Sequence, residues 1–323
     1  MRMKRGIRIA AWTLALLLLF GSFIGCSAGK QKYQVTENTE YNADVYPYVV
    51  KTASATWYLA KEDIELMGED AFYEGLFALL DDAEEDFSDV REALKGYIFE
   101  EIPPVEIYTD FSNQAPISET TAAYYNSMRN FIKLFYGWDA VRASLTHEYV
   151  HYLTIACADP ATEYGFWIEG IAEYVSKFVC KNRLARSVNC GFPQEDIEFA
   201  RNNGAWDTEE NCLDLKRFYL GIGAIHSSEA MIGNSFYCVD CITIVKTERM
   251  LAEPEAHELS YFEACGMIAY LVETYGRDSV FSHWDIRPTP SRMEQAFGKT
   301  FVTLYHEWVD WDNAQLKMLG MVP

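Results

Sequence analysis

The chain has 323 residues, of which 50% are hydrophobic and 15% aromatic. That is enough apolar material for a sizeable core, and it excludes an intrinsically disordered protein. Acidic residues outnumber basic ones 48 to 27, which gives a formal net charge of −21. A chain this acidic is a poor match to nucleic acid or to an anionic membrane surface, so neither is expected as a partner.

The first 25 residues have the pattern of a signal peptide. A basic start precedes an apolar stretch at 10–24, which is short for a membrane span of about 20 apolar residues. The junction Gly21-Ser22-Phe23-Ile24-Gly25-Cys26 resembles a bacterial lipobox, with Phe23 where leucine is usual. The resemblance implies cleavage before Cys26, lipidation of its thiol and an extracytoplasmic chain held to the membrane by lipid. An ordinary signal peptide of a secreted protein and an uncleaved anchor are the alternatives.

The folded domain is expected to begin after a polar segment. Residues 26–42 predict a flexible tether, which leaves the domain at 43–323. A strand is predicted at 53–59, followed by an acidic helix at 61–94. Apolar residues recur along this helix at helical spacing, at Leu66, Phe72, Leu76 and Leu79.

Two further strands are predicted before the middle of the chain. Pro103 and Pro104 end the helical pattern ahead of a strand at 105–109. A run rich in aromatic and β-branched side chains predicts another strand at 130–136.

The next predicted helix carries the most informative motif in the chain. Asp139 is a suitable N-cap for it, and His147-Glu148-Tyr149-Val150-His151 within it matches H-E-x-x-H. Histidines four positions apart share one helix face, so both imidazoles can bind one metal ion. The glutamate beside the first histidine can then act as a base on a metal-activated water. A tetrahedral zinc site built this way still needs a third protein ligand.

A second helix is predicted at 165–180, after Pro160. Glu169 and Glu173 lie side by side on it, next to an apolar stripe. Like charges at this spacing disfavour a helix unless a cation or a hydrogen-bond donor lies nearby. A zinc ion and a zinc-bound imidazole would supply both, whereas a solvated acidic face is the alternative. The stripe consists of Trp167, Ile168, Ile171, Ala172 and Val175.

Together these two helices resemble the gluzincin branch of zinc peptidases, which includes thermolysin and the large zinc aminopeptidases. In that branch a glutamate on the next helix completes a His-His-Glu site, which implies Glu169 as the third zinc ligand. The Glu169-Gly170 pair, preceded by Trp167 and followed by Ala172, resembles the aminopeptidase form of the motif. The resemblance also implies that Glu173 accepts the second N–H of a ligating imidazole.

The C-terminal half is predicted to be mostly helical. A cysteine-bearing stretch at 181–258 is expected to be irregular, and helices are predicted at 260–275, ending at Gly276, and at 291–318. The helix beginning at 260 resembles the one that bears the catalytic tyrosine in aminopeptidase-like gluzincins. Tyr261 would then donate its hydroxyl to an oxyanion, and a packed aromatic residue is the alternative.

The remaining histidines and cysteines give weaker signals. His306 and Glu307 begin an H-E-x-x-D pattern on an amphipathic helix, which favours a surface position. His226 is interpreted as a loop residue, with a transition-state donor as the alternative. Cys238 and Cys241 form half of a zinc ribbon without its second half, so disulfides or buried thiols are favoured. Seven cysteines follow Cys26, at Cys157, Cys180, Cys190, Cys212, Cys238, Cys241 and Cys265.

From residue 105 onward the chain looks like the thermolysin-like peptidase MA domains of bacterial secreted and lipid-anchored proteins. This resemblance implies a zincin-like α+β fold. A small sheet subdomain with the active-site helix would span 43–158, and a mostly helical subdomain would span 159–323. The implied activity is zinc-dependent endopeptidase action on a peptide or protein, since no G-x-M-E-N segment is present to hold a free N-terminus. The alternatives are a zinc hydrolase of a non-peptide amide or ester, and an inactive lipid-anchored binding protein.

Overall fold

A computed structural model describes residues 32–40, 42–113, 122–187, 194–202, 204–218 and 254–318. The chain divides into two compact units, Met1–Gln34 and Val35–Pro323, and the features below all belong to the second. This unit is mixed α+β, as expected. No helix within the described ranges is long and apolar enough to cross a membrane.

The second unit contains a six-stranded mixed sheet in the order β1-β2-β3-β4-β6-β5. Strands β3, β4 and β6 are parallel, and the other neighbours are antiparallel. Trp57, Ile107 and Ile132 are in register across these three central strands and are fully buried. The six strands are β1 (Val35–Glu37), β2 (Tyr48–Lys51), β3 (Ala55–Leu59), β4 (Val105–Thr109), β5 (Ala123–Asn126) and β6 (Phe131–Leu134).

Three of these strands match the prediction, and the other three were not predicted. Strand β4 has the predicted bounds, and β3 and β6 lie inside the predicted runs. The prediction of a tether through residue 42 is wrong, because β1 lies within it and pairs with β2. Strands β1, β2 and β5 have only three or four residues, too few for a clear alternating pattern.

The predicted acidic helix is divided into α1 (Lys61–Met67) and α2 (Glu69–Ala93). The division falls at Gly68, whose φ of +81° ends the first helix. Phe72, Leu76 and Leu79 are fully buried on α2, as expected. Leu66 is 65% exposed, because it lies on the separate helix α1 and is therefore not part of the buried apolar face of α2.

The helix expected to begin at Asp139 is also divided, into α3 (Trp138–Arg142) and α4 (Leu145–His151). Asp139 therefore lies in the first turn of α3 and does not cap the helix with the metal-binding motif, whose N-cap is Ser144. The second predicted helix is confirmed as α5 (Gly165–Tyr174), continued by a π-helical turn at Val175–Val179. A similar π-helical turn, Tyr152–Ala156, follows α4.

The stretch expected to be irregular contains regular structure where it is described. A small core of Ala185, Ala200, Leu213 and Phe218 joins these short elements. They are α6 (Arg183–Ser187), α7 (Gln194–Asn202) and a hairpin of β7 (Trp206–Asp207) with β8 (Cys212–Leu213).

The C-terminal helices begin and end differently from the prediction. Helix α8 (Pro254–Tyr275) starts six residues before the predicted position and ends ahead of Gly276 as expected. Helix α9 (Arg277–Phe281) follows it. The single helix predicted at 291–318 is two helices in the structure, α10 (Pro290–Phe297) and α11 (Phe301–Met318). They are separated at Gly298, which adopts a left-handed conformation with φ +70°.

Candidate metal centre

Helix α4 places three motif side chains, His147, Glu148 and His151, in a buried position, each no more than 8% exposed. The two imidazole rings are neighbours, with centroids 4.4 Å apart and planes at 87°. A helix of seven residues is too short to be stable alone, so tertiary packing must hold it in place. Tyr149 stacks on Phe87 of α2 at 3.9 Å between centroids, and this contact fixes the helix from behind.

Glu169 approaches both histidines from α5. Its Oε2 atom lies 3.2 Å from Nε2 of His147 and 3.3 Å from Nε2 of His151. Ligand atoms that share one tetrahedral zinc ion at about 2.0–2.1 Å lie about 3.3 Å from one another. Two imidazole nitrogens and one carboxylate oxygen are also donors that zinc accepts, and all three lie within 4.8 Å of one another. The three residues could therefore hold a metal ion such as zinc.

The electrostatics of this group keep Glu169 ionised. Burial would raise the pKa of Glu169, but the charge of His151 and hydrogen bonds to both imidazoles outweigh it and hold the pKa well below its ordinary value. For His147 the signs are reversed. Burial would lower the pKa of its imidazole, but the neighbouring carboxylates Glu173 and Glu169 raise that pKa above its ordinary value. The carboxylates thus create a site that attracts positive charge.

Glu173 contacts the far side of the first histidine. Its Oε1 atom lies 2.8 Å from Nδ1 of His147, one helical turn beyond Glu169 on the same helix. In a metal-bound centre, a proton on Nδ1 would face Glu173 and leave the lone pair of Nε2 free to bind the metal. In the described part of the chain, Nδ1 of each histidine is buried outside hydrogen-bond geometry, although Nδ1 of His147 lies at ion-pair distance from Glu173.

Glu148 is held by the sheet. Its Oε2 atom accepts a hydrogen bond of 2.7 Å from the backbone N–H of Tyr125, in strand β5 at the edge of the sheet. Burial raises the pKa of Glu148 above its ordinary value, even though the charges of both histidines oppose this. A carboxylate of raised pKa is a better proton acceptor than an exposed one.

Tyr261 lies beside the same group, near the middle of α8. Its ring centroid is 6.2 Å from that of His147. Burial, together with the charges of Glu169, Glu148 and Glu173, raises the pKa of the Tyr261 hydroxyl. The hydroxyl therefore keeps its proton and can act as a hydrogen-bond donor.

The weaker candidates lie elsewhere. His306 is exposed, and Glu307 binds Lys299 and Tyr270, so the H-E-x-x-D segment forms a surface ion pair. Tyr270 itself is buried. Cys157, Cys180, Cys212 and Cys265 are free, buried thiols. Five other candidates lie outside the described residues, namely Cys26, Cys190, His226, Cys238 and Cys241.

One further contact at this centre was not predicted from the sequence. It is the Tyr125 amide, since no sequence signal identifies a backbone group as the partner of a distant side chain. The positive charge of Lys177, four residues after Glu173, also lowers the pKa of that carboxyl, and this spacing could have indicated it.

Known proteins offer no further guide to the role of this centre. The chain matches no protein family, no curated protein and no solved structure. The arrangement of its own residues is therefore the basis for a functional proposal.

Proposed function

We propose that this chain is an extracytoplasmic zinc-dependent endopeptidase with a zincin-like form of the α+β fold. One observation carries the proposal, namely the convergence of His147, His151 and Glu169 at the spacing of tetrahedral ligands. A catalytic zinc site keeps a fourth position open, and three protein donors satisfy that requirement.

Each neighbouring side chain has a chemical role in this proposal. His147, His151 and Glu169 would hold a zinc ion, whose Lewis acidity would make a water molecule at the centre a better nucleophile. Glu148 accepts a proton from that water and later delivers it to the leaving amine. The Tyr261 hydroxyl donates a hydrogen bond to the oxygen of the scissile carbonyl as negative charge develops there. Glu173 keeps His147 oriented throughout.

The sheet edge favours a peptide substrate over a small ester or amide. Among the described residues, strand β5 is the last strand of the sheet, and the Tyr125 N–H on it donates to Glu148. Each residue of an antiparallel strand directs its N–H and C=O to the same side, so the Tyr125 carbonyl oxygen could accept a hydrogen bond from an extended peptide at this edge. A peptide aligned along β5 would pass beside the catalytic groups.

The test combines metal analysis with cleavage of a peptide library. The wild-type chain should contain one zinc ion and cleave peptides, and His151→Ala should lose both properties. Glu148→Gln should retain zinc and lose hydrolysis, while Tyr261→Phe should retain zinc with kcat lower by about 10²–10³-fold.

Each alternative outcome has a distinct meaning. A wild-type chain without zinc, or a Glu148→Gln variant that cleaves like wild type, would contradict the proposed mechanism. Zinc with turnover of esters but not peptides would indicate a non-peptide hydrolase. Zinc or peptide binding without any turnover would indicate an inactive binding protein.

A further inference from the structure

Asp86 is a fully buried carboxylate on α2, outside the group of candidate metal ligands. Its Oδ1 atom accepts hydrogen bonds from the backbone N–H and the guanidinium group of Arg183, at 2.9 and 3.1 Å. Its Oδ2 atom accepts one from the backbone N–H of Leu184 at 3.1 Å and one from the hydroxyl of Thr146 at 3.3 Å. Two donors on each oxygen compensate for the loss of water around the carboxylate. The carboxylate therefore joins the elements to which these donors belong.

These donors belong to the chain segments that bring the metal-binding side chains together. Thr146 lies on α4, directly before the first histidine of the motif. Arg183 and Leu184 begin α6, which follows the π-helical turn that continues α5. The first N–H groups of a helix have no partner within it, so Asp86 also holds the start of α6. One carboxylate thus connects the helix of the histidines with the segment that follows the helix of Glu169.

Thr146 lies on the face of α4 that is turned toward α2. It precedes Tyr149 by three positions, so both side chains lie on one side of the helix, and Tyr149 stacks on Phe87 of α2. Apolar contact has no preferred direction, so the stack alone lets a short helix turn about its axis. A side-chain atom about 5–6 Å from that axis moves about 1 Å for a rotation of about 10°. A hydrogen bond weakens when its angle changes, so the bond from Thr146 to Asp86 opposes such a rotation.

We propose that Asp86 is a positioning residue, which acts through Thr146 to set the rotation of α4 and so the spacing between the histidines and Glu169. The proposal rests on the proposed zinc centre, whose ligand distances tolerate changes of only about 0.2 Å. Loss of a bond that only stabilised the fold would lower Tm and leave the zinc affinity of the folded protein unchanged. Loss of a positioning bond lowers both, because the ligands no longer meet at tetrahedral spacing.

The experiment measures zinc affinity by competition with a chelator, kcat and KM for a cleaved peptide, and Tm. It uses the full-length chain, purified in detergent. Thr146→Val removes the hydroxyl and keeps the shape of the side chain, whereas Thr146→Ser keeps the hydroxyl. Thr109→Val is the matched control, since Thr109 is also fully buried but lies on β4, where its hydroxyl accepts a 2.8 Å hydrogen bond from the Ala60 N–H.

A second set of variants identifies the acceptor of the Thr146 hydroxyl. Oδ1 of Asn182 lies 3.4 Å from the same hydroxyl, so two acceptors are within reach. Asp86→Ala and the double variant Asp86→Ala/Thr146→Val complete a cycle that separates them. If Asp86→Ala does not fold, Asn182→Gly takes its place in the cycle, because Asn182 has a φ of +48° that glycine adopts without strain.

Thr146→Val should weaken zinc binding about tenfold and lower kcat about tenfold, with KM within about twofold of the wild-type value. Thr146→Ser should restore both properties. Thr109→Val should lower Tm while retaining the zinc affinity and kcat of wild type. In the Asp86→Ala background, Thr146→Val should change zinc affinity by less than about twofold, because the bond is already absent. In the Asn182→Gly background it should keep its full effect.

The proposal is overturned if Thr146→Val binds zinc as tightly as wild type, or if Thr109→Val weakens zinc binding equally. It is also overturned if Thr146→Val keeps its full effect without the Asp86 carboxylate, or loses that effect in Asn182→Gly, since Asn182 would then be the acceptor. Failure of the proposed function gives a different result. The wild-type chain itself would then bind no zinc, and the positioning role would fail together with the centre.

Discussion

Gly170 lies next to Glu169 in the sequence, where α5 packs against α8. A Cβ atom at this position would lie 2.9 Å from Cγ1 of Ile268 and 3.2 Å from the carbonyl oxygen of Ala264. Ordinary contacts begin at 3.4 Å, so Gly170→Ala requires the Ile268 side chain to move by about half an ångström and the two helices to separate by a few tenths of an ångström. The helices carry Glu169 and Tyr261, so this substitution perturbs the candidate centre without changing any of its side chains.

Two opposing effects set the magnitude for Gly170→Ala. Overpacking of a tight core costs about 1–3 kcal/mol, whereas replacing glycine by alanine within a helix contributes about 0.5–1 kcal/mol of stability. The net loss should be between about 0 and 2.5 kcal/mol, which is at most about 10 °C in Tm. A shift of about 1 Å in a catalytic geometry can cost about a hundredfold in rate, so about a tenfold loss of kcat/KM is expected here.

Thermal unfolding and peptide cleavage by the zinc-loaded protein measure the two effects. Gly266→Ala is the control, because Gly266 also lies on α8 but its Cβ would approach Trp308 of α11 at 3.2 Å. The control should lower Tm while retaining kcat/KM. The reasoning is refuted if Gly170→Ala is as stable and as active as wild type, or if the control loses as much activity.

Two other predictions concern Asp312 and Cys26. Burial raises the pKa of Asp312 from 3.8 to about 7, so the folded state holds a proton that the unfolded state releases and stability falls as pH rises between these values. The Asp312→Asn variant should lack this pH dependence, which is worth up to about 4 kcal/mol of unfolding free energy. Denaturant unfolding at pH 5 and pH 8 measures it. A variant whose unfolding free energy changes between these pH values as much as that of wild type would contradict the prediction. Cys26→Ser should either move the protein from the membrane fraction to the soluble fraction or leave its signal peptide uncleaved. Fractionation measures the first outcome, and the mass of the N-terminal peptide measures the second. An unchanged distribution and mass would argue against lipidation.

The sequence predicted those parts of the centre that depend on local spacing. His147 and His151 share a face because four residues make about one helical turn, and the same rule brings Glu169 and Glu173 together on α5. Strand β4 was predicted with its bounds because the two prolines before it leave little choice of starting point. The helix breaks at Gly68 and Gly298 were not predicted, although both glycines are evident in the sequence. Whether a glycine interrupts a helix depends on the packing of the segments on either side.

The sequence alone thus determined which side chains could serve a metal, a base and a hydrogen-bond donor. Only the tertiary structure decided their distances, because contacts between residues far apart in the chain depend on how whole elements pack. Glu169 reaches the histidines because α5 crosses α4, and Glu148 meets the Tyr125 amide because β5 lies at the sheet edge beside that helix. The bond from Lys177 to Ala143 has the same origin, since it joins residues 34 positions apart that meet only after the helices pack.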